Sequence, residues 1–141
     1  MTPARTVRAS PPPHAYVPGQ TPRHPEGLFD PIRADLALAW ETGLTYLSGG
    51  FYWEAHEVLE PVWMAQPPNA PERALTQGLI QLANAALKQR MGQPRATARL
   101  RKIADSHLAE ALSRGGGCVS EFDSARLEAL KRHLFDQKDA L

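Results

Sequence analysis

Phe51-Tyr-Trp-Glu-Ala-His-Glu-Val-Leu-Glu-Pro-Val-Trp63 decides the fold class of this chain. On a 3.6-residue period, Tyr52, Ala55, Leu59, Val62 and Trp63 share one face. A face that wide and apolar predicts an α-helix packed on a core. His56 and Glu60 are one turn apart and stack at the edge of that face. Glu57 lies further round, and Glu54 falls nearly opposite, beside Pro61. Pro61 removes a donor and clashes one turn back. A kink, or a loosened last turn from Val58 to Trp63, is therefore expected.

Working outward, the rest of the chain also reads as helices. Asp30-Pro31 predicts a helix start, a capping carboxylate followed by proline in the first turn. Ile32, Leu36, Ala39 or Trp40, Gly43 and Leu47 line one side of that helix, and Ser48-Gly-Gly50 ends it. After the motif helix, Gln66-Pro-Pro-Asn-Ala-Pro71 is a loop, and Pro71 or Glu72 opens a third helix that Gly92 closes. Pro94 opens a fourth, to about Ser113, with an amphipathic stripe through Leu100, Ile103, Ala104, His107, Leu108, Ala111 and Leu112. Gly115-Gly-Gly117 is a break before a short helix near Ser124 to Phe135. No segment shows the period-two alternation of a strand, so the expected fold is all-α, a compact bundle of about five helices.

Residues 1 to 29 form a different regime. Seven of the thirteen prolines lie there, which precludes a helix and leaves too little apolar content for a separate core. The chain divides into a proline-rich tail and strap, 1–29, and a helical domain, 30–141. Residues 1 to 10 read as loose. Tyr16, Val17, Leu28 and Phe29 predict an extended strap across the bundle over residues 14 to 29, bringing His24 near the motif helix.

At 141 residues the chain can bury a self-sufficient core. A net charge of +1 supplies no field that would demand nucleic acid or a membrane surface as partner. The single cysteine, Cys118, allows no internal disulfide and fits a reducing, cytoplasmic setting. Met1 to Ser10 lacks the apolar core of a secretory signal, and no apolar run approaches the roughly 18 residues of a membrane span. A protein partner or a second copy of the chain is the class of partner left open.

From Ala74 to Leu87 there is no formal charge, and Leu75, Leu79, Ile80, Leu82, Ala83, Ala86 and Leu87 cover more than half the circumference. Such a helix is expected at the centre of the bundle. Gln77, Gln81, Asn84 and Lys88 form a narrow polar stripe on it. It faces either solvent or His56, Glu57 and Glu60 of the preceding antiparallel helix.

The two helices together resemble a bacterial and archaeal family catalogued as domain of unknown function 309. The resemblance rests on Gly50, Tyr52, Glu54-Ala-His-Glu57, Leu59, Glu60 and Trp63, then Gln77-Gly-Leu-Ile-Gln81, Ala83, Ala85 and Gly92. It implies a compact all-α bundle and no particular reaction. Ser48 stands where many members have asparagine, and Lys88 where many have histidine. A metal site built on that histidine would lose a ligand here.

Three chemistries fit these residues. His56-Glu-Val-Leu-Glu60 is close to the HExxH zinc pattern, with Glu60 in place of the second histidine. No metal is expected; if one binds, His56 and Glu60 are its ligands. Glu57 and Glu60 beside an imidazole also suit acid–base work, but no nucleophile accompanies them. The run Lys88, Arg90, Arg95, Arg99, Arg101, Lys102 carries no acid, and Arg95, Arg99 and Lys102 share a helix face that could receive an anion. The candidate polar site is Glu54, His56, Glu57, Glu60, Gln77 and Gln81. Its two roles are a buried structural network in an interaction or scaffold module, or a site for a metal or small molecule. No cofactor follows from any of these residues.

Overall fold

The computed structural model describes residues 12–25 and 35–136. Among them are five helices: α1 (Leu36–Gly49), α2 (Tyr52–Ala65), α3 (Pro71–Arg90), α4 (Pro94–Arg114) and α5 (Ser124–Phe135). The chain is an all-α bundle with one tiny hairpin, β1 (Cys118–Val119) and β2 (Phe122–Asp123), between α4 and α5. The alternation that marks a strand cannot show in two residues, so this pair had no sequence signal. Its turn, Ser120-Glu121, holds both residues at positive φ, the conformation that matches strand twist in two-residue hairpins.

Local chemistry explains most boundaries. Asp35 has extended backbone and accepts a hydrogen bond from Leu38 N, so the described helix starts at Leu36. The expected Asp30-Pro31 start, with Ile32, lies outside the described residues, as do Leu28 and Phe29. Gly50, at φ +90°, ends α1 in a left-handed conformation that side-chain-bearing residues resist. Pro71 and Pro94 open α3 and α4 in first-turn positions, where a missing N–H costs nothing. Pro61 does not end α2, which stays helical to Ala65. Near the end of a helix the lost ladder bond is one of few, and packing outweighs it.

The core runs through all five helices, with α3 at its centre. Ten of the twenty residues of α3 are buried, including Leu75, Leu79, Leu82 and Ala86. Consecutive helices approach closely where glycine removes a side chain. A Cβ on Gly43 of α1 would lie 2.5 Å from the Leu59 side chain of α2. A Cβ on Gly78 of α3 would lie 2.5 Å from Leu108 of α4. Val119 and Phe122 of the hairpin join this core, and Lys131 of α5 pairs with Asp105 of α4 at 3.0 Å.

Residues 12–25 pack on the bundle as a strap. Val17 is 3 % exposed and belongs to the core. The strap is not extended throughout. Gln20 N and Thr21 N both donate to Val17 O, Val17 N donates to Thr21 Oγ1, and Thr21 Oγ1 donates to Ala15 O. These bonds close a tight turn, with Gly19 at φ +80°. Gln20 reaches across to donate to Arg90 O at the end of α3.

Candidate functional site

Glu54 is where the strap and the bundle meet. It lies one turn before Val58 on α2, and both are fully buried. The helical wheel set Glu54 on the far side of α2, away from the core. That side is covered by the strap, so α2 is buried on more of its circumference than its apolar stripe implies. Two donors converge on one oxygen, Oε2: Tyr16 N at 2.6 Å and His24 Nε2 at 2.5 Å. They come from opposite sides of the Val17–Thr21 turn. The His24 side chain is 2 % exposed. The other carboxylate oxygen, Oε1, is buried and makes no hydrogen bond.

Aromatic rings wall this junction. Trp53, beside Glu54 on α2, packs edge-on against Tyr16 at 5.1 Å and lies 5.9 Å from the His24 ring. His14 lies tilted against His24, ring centres 4.5 Å apart, and is anchored through Nε2 to Pro22 O. On the bundle side, burial pushes the Tyr46 phenol above its ordinary value, and the Glu54 charge pushes it further the same way. Arg90 completes the frame. It donates to Gly50 O at 2.8 Å and lies over the Tyr52 ring.

The rest of the expected site on α2 is not enclosed as Glu54 is. His56 sits between two carboxylates of its own helix, with Nδ1 3.5 Å from Glu57 and Nε2 4.0 Å from Glu60. All three are part-exposed, at 25 %, 23 % and 42 % of their side chains. Gln77, Gln81 and Asn84 are half-buried on α3, and none of them forms a side-chain hydrogen bond to His56 or Glu60. Of the two readings of the α3 stripe, the one that pairs it with His56 and Glu60 finds no hydrogen bond among the described residues. Glu60 reaches His56 along its own helix at i, i+4, without crossing to α3. Gln81 Oε1 is buried without a partner. Among the described residues, no group of three or more His, Cys, Asp or Glu is placed to hold a metal ion.

The basic run divides in two. Arg90 and Arg101 are used within the fold, Arg101 lying over the Phe135 ring at 4.2 Å. Arg95, Arg99 and Lys102 are exposed on one face of α4 and pair with no acid among the described residues.

Residues 40–100 match the model of a family described as domain of unknown function, DUF309. This stretch is similar to DUF309. The matched stretch contains Glu54, His56, Glu57, Glu60 and the amides of α3, but neither the strap nor α5. Glu54 therefore belongs to the family segment, while its donors Tyr16 and His24 come from outside it. No curated protein and no solved structure matches the chain. No described helix is long and apolar enough to cross a membrane.

Sequence reasoning missed Glu54 as a buried group and missed Tyr46 and Trp53 as its neighbours. A signal was present in part. Trp53 lies off the apolar face, next to Glu54, and a large aromatic there needs cover.

Proposed function

We propose that this protein is an interaction module whose motif helix receives a proline-rich segment, and that residues 12–25 fill that receptor in cis. One observation supports the reading above others: both arms of the strap donate to a single oxygen of the fully buried Glu54. A carboxylate so enclosed cannot reach a substrate while the strap is docked. Its role is to hold backbone and imidazole donors, as peptide-binding sites do. Proline lowers the entropy lost when such a segment docks. An exposed, free Cys118 suits a cytoplasmic setting for the module.

The test uses the full chain with His24→Ala, whose own strap is weakened. A fluorescent peptide of residues 12–25 is expected to bind this variant saturably by anisotropy, and the wild type far less. The same peptide with alanine at position 24 is expected to bind neither. Failure of the native peptide to bind the folded variant would remove the receptor reading.

A second reading is favoured by the His56 cluster, whose two carboxylates flank a part-exposed imidazole. There a small polar molecule would meet His56, Glu57 and Glu60, with Glu54 only supporting α2. Saturable shifts of amide signals centred on residues 56–60 during titration with a small polar ligand would favour it. The free face of Arg95, Arg99 and Lys102 suits a phosphate group, and a salt-dependent affinity for inorganic phosphate would reveal it.

A further inference from the structure

A cavity of about 370 Å³ opens between α1 and α5. It is unconnected with Glu54 and lies largely outside the family stretch. Its size is in the range of small-ligand sites. Leu44, Leu47 and Ser48 line it from α1; Arg126, Ala129, Leu130 and His133 line it from α5; Phe122 lies between. On each helix these residues recur at i, i+3, i+4 spacing, so two stripes face one another. Ser48 and Ala129 are small, and their missing bulk leaves the space open.

The lining is apolar along its length and polar at its ends. At one end, the Arg126 guanidinium lies over the Phe122 ring at 4.0 Å and donates once, to Glu121 O at 3.2 Å, while its backbone N donates to Asp123 Oδ1. Stacking fixes the guanidinium plane, and most of its five N–H donors are not engaged with the protein. No carboxylate among the described residues forms an ion pair with it. At the other end, His133 is anchored through Nε2 to Ser48 O at 2.7 Å. Arg126 and His133 are two turns apart, about 10 Å along the helix axis. Leu44 and Leu130, half-buried now, would lose their remaining exposure to an occupant.

We propose that this cavity binds a small apolar carboxylate. Its carboxylate lies on the Arg126 fork, and its hydrocarbon runs along Leu44, Leu47 and Leu130 toward His133. The charge complement comes from Arg126, and the apolar walls match a chain of medium length.

Octanoate is the probe, and octan-1-ol is its uncharged counterpart. Amide signals of the full ¹⁵N-labelled chain are followed by NMR during titration. Octanoate is expected to shift signals of residues 44–48 and 122–133 saturably, and octanol to bind more weakly at the same place. Arg126→Gln is expected to weaken octanoate roughly tenfold, as loss of a charge-assisted contact does, and to bring the two probes to parity. Ala129→Leu, which fills the cavity from an exposed helical position, is expected to abolish binding of both while the spectrum stays folded. Shifts centred elsewhere would overturn the proposal. So would an unchanged affinity in Arg126→Gln, or no saturation below about 10 mM, weaker than millimolar ligand affinities.

Discussion

Replacing Glu54 with glutamine should open the strap and leave the bundle folded. The carboxylate accepts two charge-assisted hydrogen bonds, each worth about 1.5–3 kcal/mol. Glutamine keeps the acceptor oxygen and the shape, so about half of each bond survives as a neutral one. The loss is then about 1.5–3 kcal/mol for the pair. The new amide NH₂ takes the place of Oε1, which has no partner, and adds the cost of an unsatisfied buried donor. Removal of a buried charge works in the other direction. The net is a loss of about 2 kcal/mol, which raises the open population of the strap roughly thirtyfold. Trypsin reads this at Arg23, which lies in the strap between the turn and His24. When opening is fast relative to cleavage, the cleavage rate follows that population and should rise by the same factor. Circular dichroism should show the helices retained. A change in cleavage below about twofold would place Glu54 among ordinary surface positions, where substitutions stay within about 0.5 kcal/mol. The reasoning from its burial would then be refuted.

Trp63→Ala should cost about 2–3 kcal/mol in urea melts. That is less than the roughly 3–5 kcal/mol of a core aromatic, because Trp63 is only half-buried, and part of the loss is its stacking under Arg73 at 4.7 Å; a value below about 1 kcal/mol would show the contact to be idle. Tyr46 predicts alkaline sensitivity. The unfolded phenol sheds its proton near pH 10 while the folded one, raised by burial and by Glu54, still holds it. Stability is therefore full below about pH 10 and falls as pH rises toward the folded value. Tyr46→Phe should flatten this arm of the melting-temperature profile, and a profile of unchanged steepness would contradict it.

Much of the fold was legible because its signals are local. Pro71, Pro94 and the Gly50 stop set helix ends by backbone chemistry alone, and the α3 stretch without charge announced a central helix. The candidate site was legible in composition but not in arrangement. His56, Glu57 and Glu60 do gather, because i, i+4 spacing on one helix is written in the sequence. Glu54 was misplaced because a wheel sees only the stripe that neighbouring helices bury. The cover on its side comes from a segment 30 residues upstream at His24, a long-range contact with no periodic trace. The amides of α3 show the same limit from the other side. A polar stripe can be read from spacing, but its partner depends on how two helices are rotated against each other.

The paired glycines have a consequence for how the chain acquires its shape. Gly43 admits Leu59 from the next helix, and Gly78 admits Leu108 from the next. Each lock joins neighbours in sequence, α1 to α2 and α3 to α4, across very short connections. Each helical hairpin thus carries its own register mark and can find its alignment before the other exists. Contacts so local favour rapid folding, since little chain entropy is lost before they form. The strap is the opposite case: its contact with α2 spans the first helix, so it should close last, over a bundle already set.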